Sequence, residues 1–280
     1  MPSPRIAVVG HVEHVTLGRV EAFPSPGDIV HFSDARRLAA GGGGIAFAQL
    51  LRSDAEVLLF TAVGQGDAGA QVQAELQKTR AQVHYAKRET LHPRVLVLVD
   101  AEGRRTIFVP EPPLQPKGSD ALPWAELATC DAVYFTGSDP ESLHYARKAR
   151  KLVVTARRRN ALEASGTCAD VVVGSASDPR ENAPLEAYQT VPSALVLTDG
   201  PRPIRVASVG GISMVSPPRR VERVVGDYGA GDSFAAALTY FVACGLGLDE
   251  AVGRAAPYGA AVLSHASPFD GQAMLTREEG

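Results

Sequence analysis

The chain has 280 residues, 45% of them hydrophobic, and a formal net charge of −3, which allows one large core and argues against a basic nucleic-acid surface. No run of about 18 apolar residues is available to span a membrane. Cys130, Cys168 and Cys244 are far apart and odd in number, and Met1 to Arg5 lack signal-peptide architecture, so reduced thiols and a cytoplasmic location are expected.

Arg5 to Gly10 is an apolar run closing on glycine, the pattern of a buried strand in a parallel sheet. His11-Val12-Glu13-His14 follows at its carboxyl end, where ligands of open α/β sheets bind. Residues 15–40, punctuated by Pro24, Pro26 and Gly27, do not read as a helix, and Ile29 to Phe32 reads as a short strand. Gly41-Gly42-Gly43-Gly44 precede a helical pattern from Ile45 to Leu51, offering bare backbone to a small ligand. A buried strand at 56–60, a turn from Gly64 to Gly69 and an amphipathic helix over 68–80 come next. Two strands then follow in succession, 94–99 and 104–109, joined by a hairpin turn at Asp100-Ala101-Glu102-Gly103. This pair interrupts the β-α rhythm and, with residues 15–40, predicts a small antiparallel sheet projecting from the main body.

Beyond residue 115 the alternation resumes, with strands at 132–136, 151–155, 170–173 and 194–198. Helices are predicted at 140–149, near 180–188, at 232–244 and at 249–264. Strands spaced by helices give an α/β fold: a three-layer, doubly wound, mainly parallel sheet with a small antiparallel β lid. The expected organisation is one domain over residues 1–280, its lid drawn from 15–40 and 92–112.

Gly229-Ala230-Gly231-Asp232 organises the rest. The run Arg220 to Val225 before it alternates like a strand, and the alanine-rich run after it reads as a buried helix. A first helical turn has unpaired N–H groups and a positive dipole end, and glycines let an anion approach them. Asp232 sits at that turn, where a carboxylate either takes a proton or caps the helix.

With these features in order, the chain resembles the ribokinase-like (PfkB-type) carbohydrate kinases over nearly its whole length. The resemblance rests on Val8-Val9-Gly10, the four glycines, Val63-Gly64 with Asp67 and Gly69, the hairpin from Val99 to Thr106, Thr198-Asp199-Gly200, and above all Gly229 to Phe234. It implies ATP-dependent phosphoryl transfer to a hydroxyl of a sugar or sugar-like molecule, assisted by Mg²⁺. It implies Asp232 as the base and the amides of Gly229, Ala230 and Gly231 as an anion hole. Gly41, Gly42, Gly43 and Asp232 would meet the acceptor, and Thr198, Gly200, Gly229 and Gly231 the nucleotide. Phosphoryl transfer is mostly positioning and charge neutralisation, which fits helix-terminal amides beside a base.

The chain departs from that family at several places. Gly226-Asp227-Tyr228 stands where Asp-Thr-x is usual, Ala46 where Asn is usual, and Ser175-Ala176-Ser177-Asp178 where Asn-x-x-Glu supports Mg²⁺. Asp178 is the expected metal-supporting residue, acting through water. The usual acidic substrate ligand falls on Val15, and Glu13 is expected to take its role, since a carboxylate grips two hydroxyls well. Arg157-Arg158-Arg159 either holds an anionic group on the acceptor or nucleotide, or is a solvated basic patch. The lid is expected to pair in a homodimer. Alternatives are a nucleoside or vitamin-like acceptor, and a non-catalytic ligand-binding protein on a kinase fold. His11-Val12-Glu13 lacks the downstream Pro-Cys-x-x-Cys of a zinc deaminase, His11, Glu13, His14 and His31 fit no zinc spacing, and Gly10-His11-Val12 is not a dinucleotide fingerprint.

Overall fold

A computed structural model of the protein describes residues 3–216 and 221–277. In chain order, β1 (Arg5–Val9), β2 (Glu13–Arg19) and β3 (Ser33–Ala40) lead into α1 (Gly41–Leu50). Then come β4 (Glu56–Gln65), α2 (Gly66–Gln77), β5 (Gln82–Leu91), β6 (Arg94–Val99) and β7 (Arg105–Phe108). The second half runs β8 (Ala132–Phe135), α3 (Pro140–Ala146), β9 (Leu152–Thr155), α4 (Arg159–Ser165), β10 (Val171–Ser175) and β11 (Ala194–Asp199). It closes with β12 (Arg202–Ser208), β13 (Gly211–Val215), α5 (Ala230–Ala243), α6 (Leu248–Val262) and α7 (Pro268–Gly271).

The large sheet has the order β13-β12-β11-β10-β9-β8-β1-β4-β5 among the described residues. From β11 to β5 the pairing is parallel, and β12 and β13 turn back antiparallel at one edge. Successive side chains of β1 point to opposite faces, so Ile6 and Val8 enter one core while Ala7 and Val9 enter the other. The first core is roofed by α1, α2, α5 and α6, the second by α3, α4 and the 3₁₀ turn Trp124–Thr129. These three layers, mainly parallel and doubly wound, are the α/β class expected from the sequence. Every residue from Ser233 to Ala243 of α5 is buried, so this helix is the central support of its layer.

The lid is a four-stranded sheet of order β3-β2-β6-β7. Its outer pairs are antiparallel, but β2 and β6 run parallel, correcting the expectation of a purely antiparallel lid. The reason lies in the large sheet. β2 leaves the carboxyl end of β1, and β6 leaves that of β5, and those two strands run the same way. Val15, Leu17, Val95, Val97 and Val99 form the lid core with Ile45 and Tyr228.

Other expectations are also corrected. Ile29 to Phe32 form no strand, and Ile29 is 90% exposed. The strand is Ser33–Ala40, whose exposed, charged residues suit a sheet edge but carry no apolar alternation. The helix expected near 180–188 is a 3₁₀ turn at Leu185–Ala187, begun just after Pro184. Arg220 lies outside the described residues, and Val221 to Val225 form no strand. Instead the Val225 amide donates to the Leu263 carbonyl at 2.7 Å, and Arg19 donates to the Val225 carbonyl at 2.9 Å. The segment is therefore strapped across α6 and the lid without a partner strand. Helix α1 begins at Gly41, not Ile45, so the glycines form its first turn.

Candidate active site

Helix α5 starts beyond Gly229, whose φ of +83° is open to glycine and strained for other residues. Space demands glycine as well: a Cβ there would lie 2.7 Å from Cβ of Pro268 and 3.1 Å from Cδ1 of Ile45. No side chain caps the helix. The Ser233 amide donates to the Gly229 carbonyl at 2.9 Å, and the Ala230 amide lies 3.5 Å from the Asp227 carbonyl. The amides of Gly231 and Asp232 have no acceptor among the described residues. Gly231 is exposed, and a Cβ built on it would meet nothing within 4 Å. The turn thus presents unspent N–H groups to open space, as an anion site requires.

The carboxylate of Asp232 is partly buried. Burial pushes its pKa up to about 7, with Glu181 adding to the rise and Arg105 and Arg157 opposing it. A Cβ on Gly42 would lie 3.2 Å from Oδ1 of Asp232 and 3.1 Å from Oγ1 of Thr136. The first turns of α1 and α5 therefore converge on one point. Glu13 reaches the same place from the start of β2, where it pairs with Ala40 immediately before α1. A Cβ on Gly41 would lie 2.8 Å from Oε2 of Glu13. Glu13 is 8% exposed. Burial, and secondarily the charge of Asp232, push its pKa up to about 7 against the pull of Arg158. Its oxygens have no hydrogen-bond partner among the described residues, yet they are not sealed in the core.

Three residues that the sequence did not assign to this chemistry, His11, Gln115 and Tyr228, complete the wall. His11 is buried and held neutral, its pKa lowered to about 3 by burial and by Arg158. Its Nε2 accepts from the Gly42 amide at 3.3 Å, and the carboxamide of Gln115 lies 3.3 Å from Nδ1. The buried Tyr228 hydroxyl accepts from the Gly41 amide at 3.3 Å. Gly43 is packed where a Cβ would stand 2.5 Å from the His11 carbonyl oxygen. The signal for His11 was its place at the carboxyl end of the first strand; for Tyr228 none existed outside the fold.

Farther along the sheet, Thr198 at the end of β11 donates to the Gly174 carbonyl at 3.2 Å, and Gly200 turns with φ +57°. Asp178 does not stand free: its carboxylate takes Arg157 at 2.5 Å and Arg180 at 3.3 Å. Glu181 is the acid that reaches back to β10, accepting from the Ser175 amide at 2.9 Å and from Arg157 at 2.7 Å. The Asp178-Pro179 turn, in which Asp178 accepts from the Arg180 amide at 2.9 Å, folds the chain back to deliver it. That dipeptide was the available signal. Among the described residues no group of three or more His, Cys, Asp or Glu could hold a metal ion. The residues present therefore do not fit a metal held by protein ligands alone.

The lid is tied to this site. The Arg105 side chain pairs with Asp227 at 2.5 Å, the Arg105 amide donates to the same carboxylate at 3.1 Å, and the Asp227 amide donates to the Gly103 carbonyl at 3.0 Å. The hairpin turn itself is locked by buried Asp100, which accepts from the Glu102 amide at 3.1 Å and the Arg104 amide at 2.8 Å.

The profile of the pfkB family carbohydrate kinases matches residues 3–270. The chain belongs to that family. Solved structures agree on the fold of this pfkB chain. Ribokinase from Giardia lamblia superposes with a TM-score of 0.81 at 16% identity, covering 97% of each chain. Ribokinase from Cryptococcus neoformans var. grubii, in complex with ADP, gives 0.73 at 16% identity, with 98% of each chain covered. Adenosine kinase from Sinorhizobium meliloti gives 0.75 at 13% identity, over 95% of this chain and 96% of that one. No curated protein sequence matches this pfkB chain.

Proposed function

We propose that the protein transfers the γ-phosphoryl group of ATP to a hydroxyl of a sugar or sugar-like small molecule. One observation carries the reading: the Asp232 carboxylate, which lies against Gly42 of α1, and the unspent amides of Gly231 and Asp232 belong to the same helical turn. In this reading Asp232 takes the proton of the acceptor hydroxyl as that oxygen attacks phosphorus. A base with a pKa near the working pH suits that task. The two amides meet the charge on the moving phosphoryl group. Glu13 accepts hydrogen bonds from acceptor hydroxyls, and Gly41 and Gly42 let the acceptor lie close to the backbone. Thr198 and Gly200 mark the nucleotide end of the sheet. The lid excludes water, which would otherwise compete for the phosphoryl group. Mg²⁺ would be held chiefly by phosphates and water, since the described residues offer no ligand cluster.

The deciding experiment measures ADP release from ATP across pentoses, hexoses, sugar acids, sugar phosphates and nucleosides, for wild type and Asp232→Asn. Acceptor-dependent release that falls about 10²-fold or more in the variant is the expected result. No release with any acceptor, combined with a ligand-induced rise in melting temperature, would replace it with a binding protein on a kinase fold. Lid pairing belongs to the same reading. Phe32, Ile107, Phe108 and Val109 are exposed on lid segments, and sedimentation is expected to report a dimer; a monomer removes that part.

A further inference from the structure

The run Arg157-Arg158-Arg159 places three guanidinium groups just beyond β9, and two of them have acids. Arg157 pairs with Asp178 at 2.5 Å and Glu181 at 2.7 Å. Arg159 pairs with Glu163 at 2.6 Å, donates to the Ala187 carbonyl and lies 5.0 Å from the centre of the Tyr188 ring. Arg158 differs. Its Nε donates to the Thr136 carbonyl at 2.9 Å, and no carboxylate lies within salt-bridge distance among the described residues. The bond to Thr136 fixes the stem at the end of β8. The two terminal nitrogens are left without a protein acceptor but are not sealed from solvent.

The neighbours of this cation are those of the site. Thr136, whose carbonyl holds it, also lines the space at Gly42 together with the Asp232 carboxylate. The charge of Arg158 is felt by both His11 and Glu13, one on each side of Val12. Burial lowers the pKa of Arg158 itself, so the guanidinium is partly stripped of water. A desolvated cation is costly unless an anion meets it, and a guanidinium meets carboxylate or phosphate through two parallel hydrogen bonds. A neutral polyol offers no such partner. The anion has two possible sources, the acceptor and the nucleotide. Arg158 turns toward β8 and β1, where Glu13 and His11 lie, whereas Thr198 and Gly200 follow β11, on the far side of β10.

We propose that Arg158 is the anion-binding residue of the acceptor subsite, and that the acceptor is a carboxylate- or phosphate-bearing sugar. This rests on the kinase reading above.

The test compares matched ligands, an aldose, its aldonate and its terminal phosphate, in pentose and hexose series. Binding is followed by melting temperature and calorimetry without nucleotide, and turnover by ADP release. Wild type is expected to favour one anionic member over its neutral parent by about 10- to 100-fold. Arg158→Gln is expected to abolish that preference, Arg158→Lys to retain part of it, and the KM for ATP to move less than about twofold. Two results overturn the proposal: a wild-type preference for the neutral sugar, or an Arg158→Gln effect confined to the KM for ATP, which assigns the cation to the nucleotide phosphates. If no acceptor is turned over, the kinase reading has failed, and the binding arm still decides whether Arg158 selects anions. Should Arg158→Gln not fold, the wild-type ligand pairs and Arg158→Lys carry the test.

Discussion

Helix α1 begins at Gly41 with φ +77°, and helix α5 begins after Gly229 with φ +83°, and neither has a capping side chain. The Asp232 carboxylate, carried by the α5 turn, lies against Gly42 in the α1 turn. Their amides fare differently. In α1 the Gly41 amide is taken by Tyr228 and the Gly42 amide by His11, while Gly43 and Gly44 press against the backbone of His11 and Ala39. In α5 the Gly231 and Asp232 amides have no acceptor among the described residues, and a Cβ on Gly231 would meet nothing within 4 Å. The same local sequence device therefore yields a packing joint in one helix and an anion site in the other. Glycines at a helix start report only that backbone comes close to something; whether that is protein or ligand depends on which amides the fold has already used.

Adding one methyl group to each turn should affect the two helices in opposite ways. Gly231→Ala is expected to fold with an equal or slightly higher melting temperature, because its Cβ meets nothing and alanine favours the helix. Its turnover is expected to fall about 10²-fold, because the methyl occupies the approach to the free amides. Gly43→Ala should do the reverse. Its Cβ would stand 2.5 Å from the His11 carbonyl oxygen, and such overpacking costs about 1–3 kcal/mol, read from urea midpoints. If Gly231→Ala loses stability and keeps its turnover, the two turns have been assigned the wrong way round.

Protons sharpen the same contrast. Burial raises Asp232 and Glu13 from ordinary carboxyl values to about 7. The base works only when ionised, so kcat/KM is expected to rise about tenfold per pH unit below 7 and to level off above it. Stability moves the other way. Between about pH 4 and 7 the folded state keeps protons that the unfolded chain has released, so unfolding becomes easier as pH rises through that window. Asp232→Asn and Glu13→Gln are each expected to flatten this decline, measured as urea midpoints at pH 5 and pH 8. An unchanged slope in both would mean that neither carboxyl is shifted.

The turn that matters most was readable because all its determinants are local. Gly229 to Asp232 supply the conformation and the acid, and the apolar run after them supplies a helix that only a core can accept. The large sheet was readable for the same reason: its central strands carry buried apolar runs, Ile6 to Val9, Ala132 to Phe135 and Leu152 to Val154. Strands at the margins were not. β5 and β3 carry charges and exposed residues because they lie at edges, and β12 and β13 are paired by a hairpin that breaks the parallel rhythm. The position of Glu13 beside the glycines of α1 follows from its place just after β1, but the partners that shape that site come from long range. Tyr228 meets Gly41 across 187 positions of sequence, and His11 meets Gly42 across 31. Spacing along the chain does not reveal Glu181, because the Asp178-Pro179 turn folds it back to Ser175.

The smallest effect concerns how the lid is fastened to α5. Arg105 and Asp227 link the hairpin to the residues just before Gly229, but their side chains are 38% and 36% exposed. A pair so accessible to water and salt contributes about 0–1 kcal/mol. Arg105→Ala and Asp227→Ala are each expected to cost less than about 1 kcal/mol, with a double-mutant coupling in the same range that shrinks as ionic strength rises. The Arg105 charge also opposes the rise of the Asp232 pKa. Arg105→Ala should therefore shift the acid limb of the pH–rate profile upward, and Asp227→Ala should not reproduce that shift. A coupling of zero with the limb still moved would separate the two roles. The lid would then be held by its apolar contacts with Ile45 and Tyr228, and Arg105 would act on the base through its field alone.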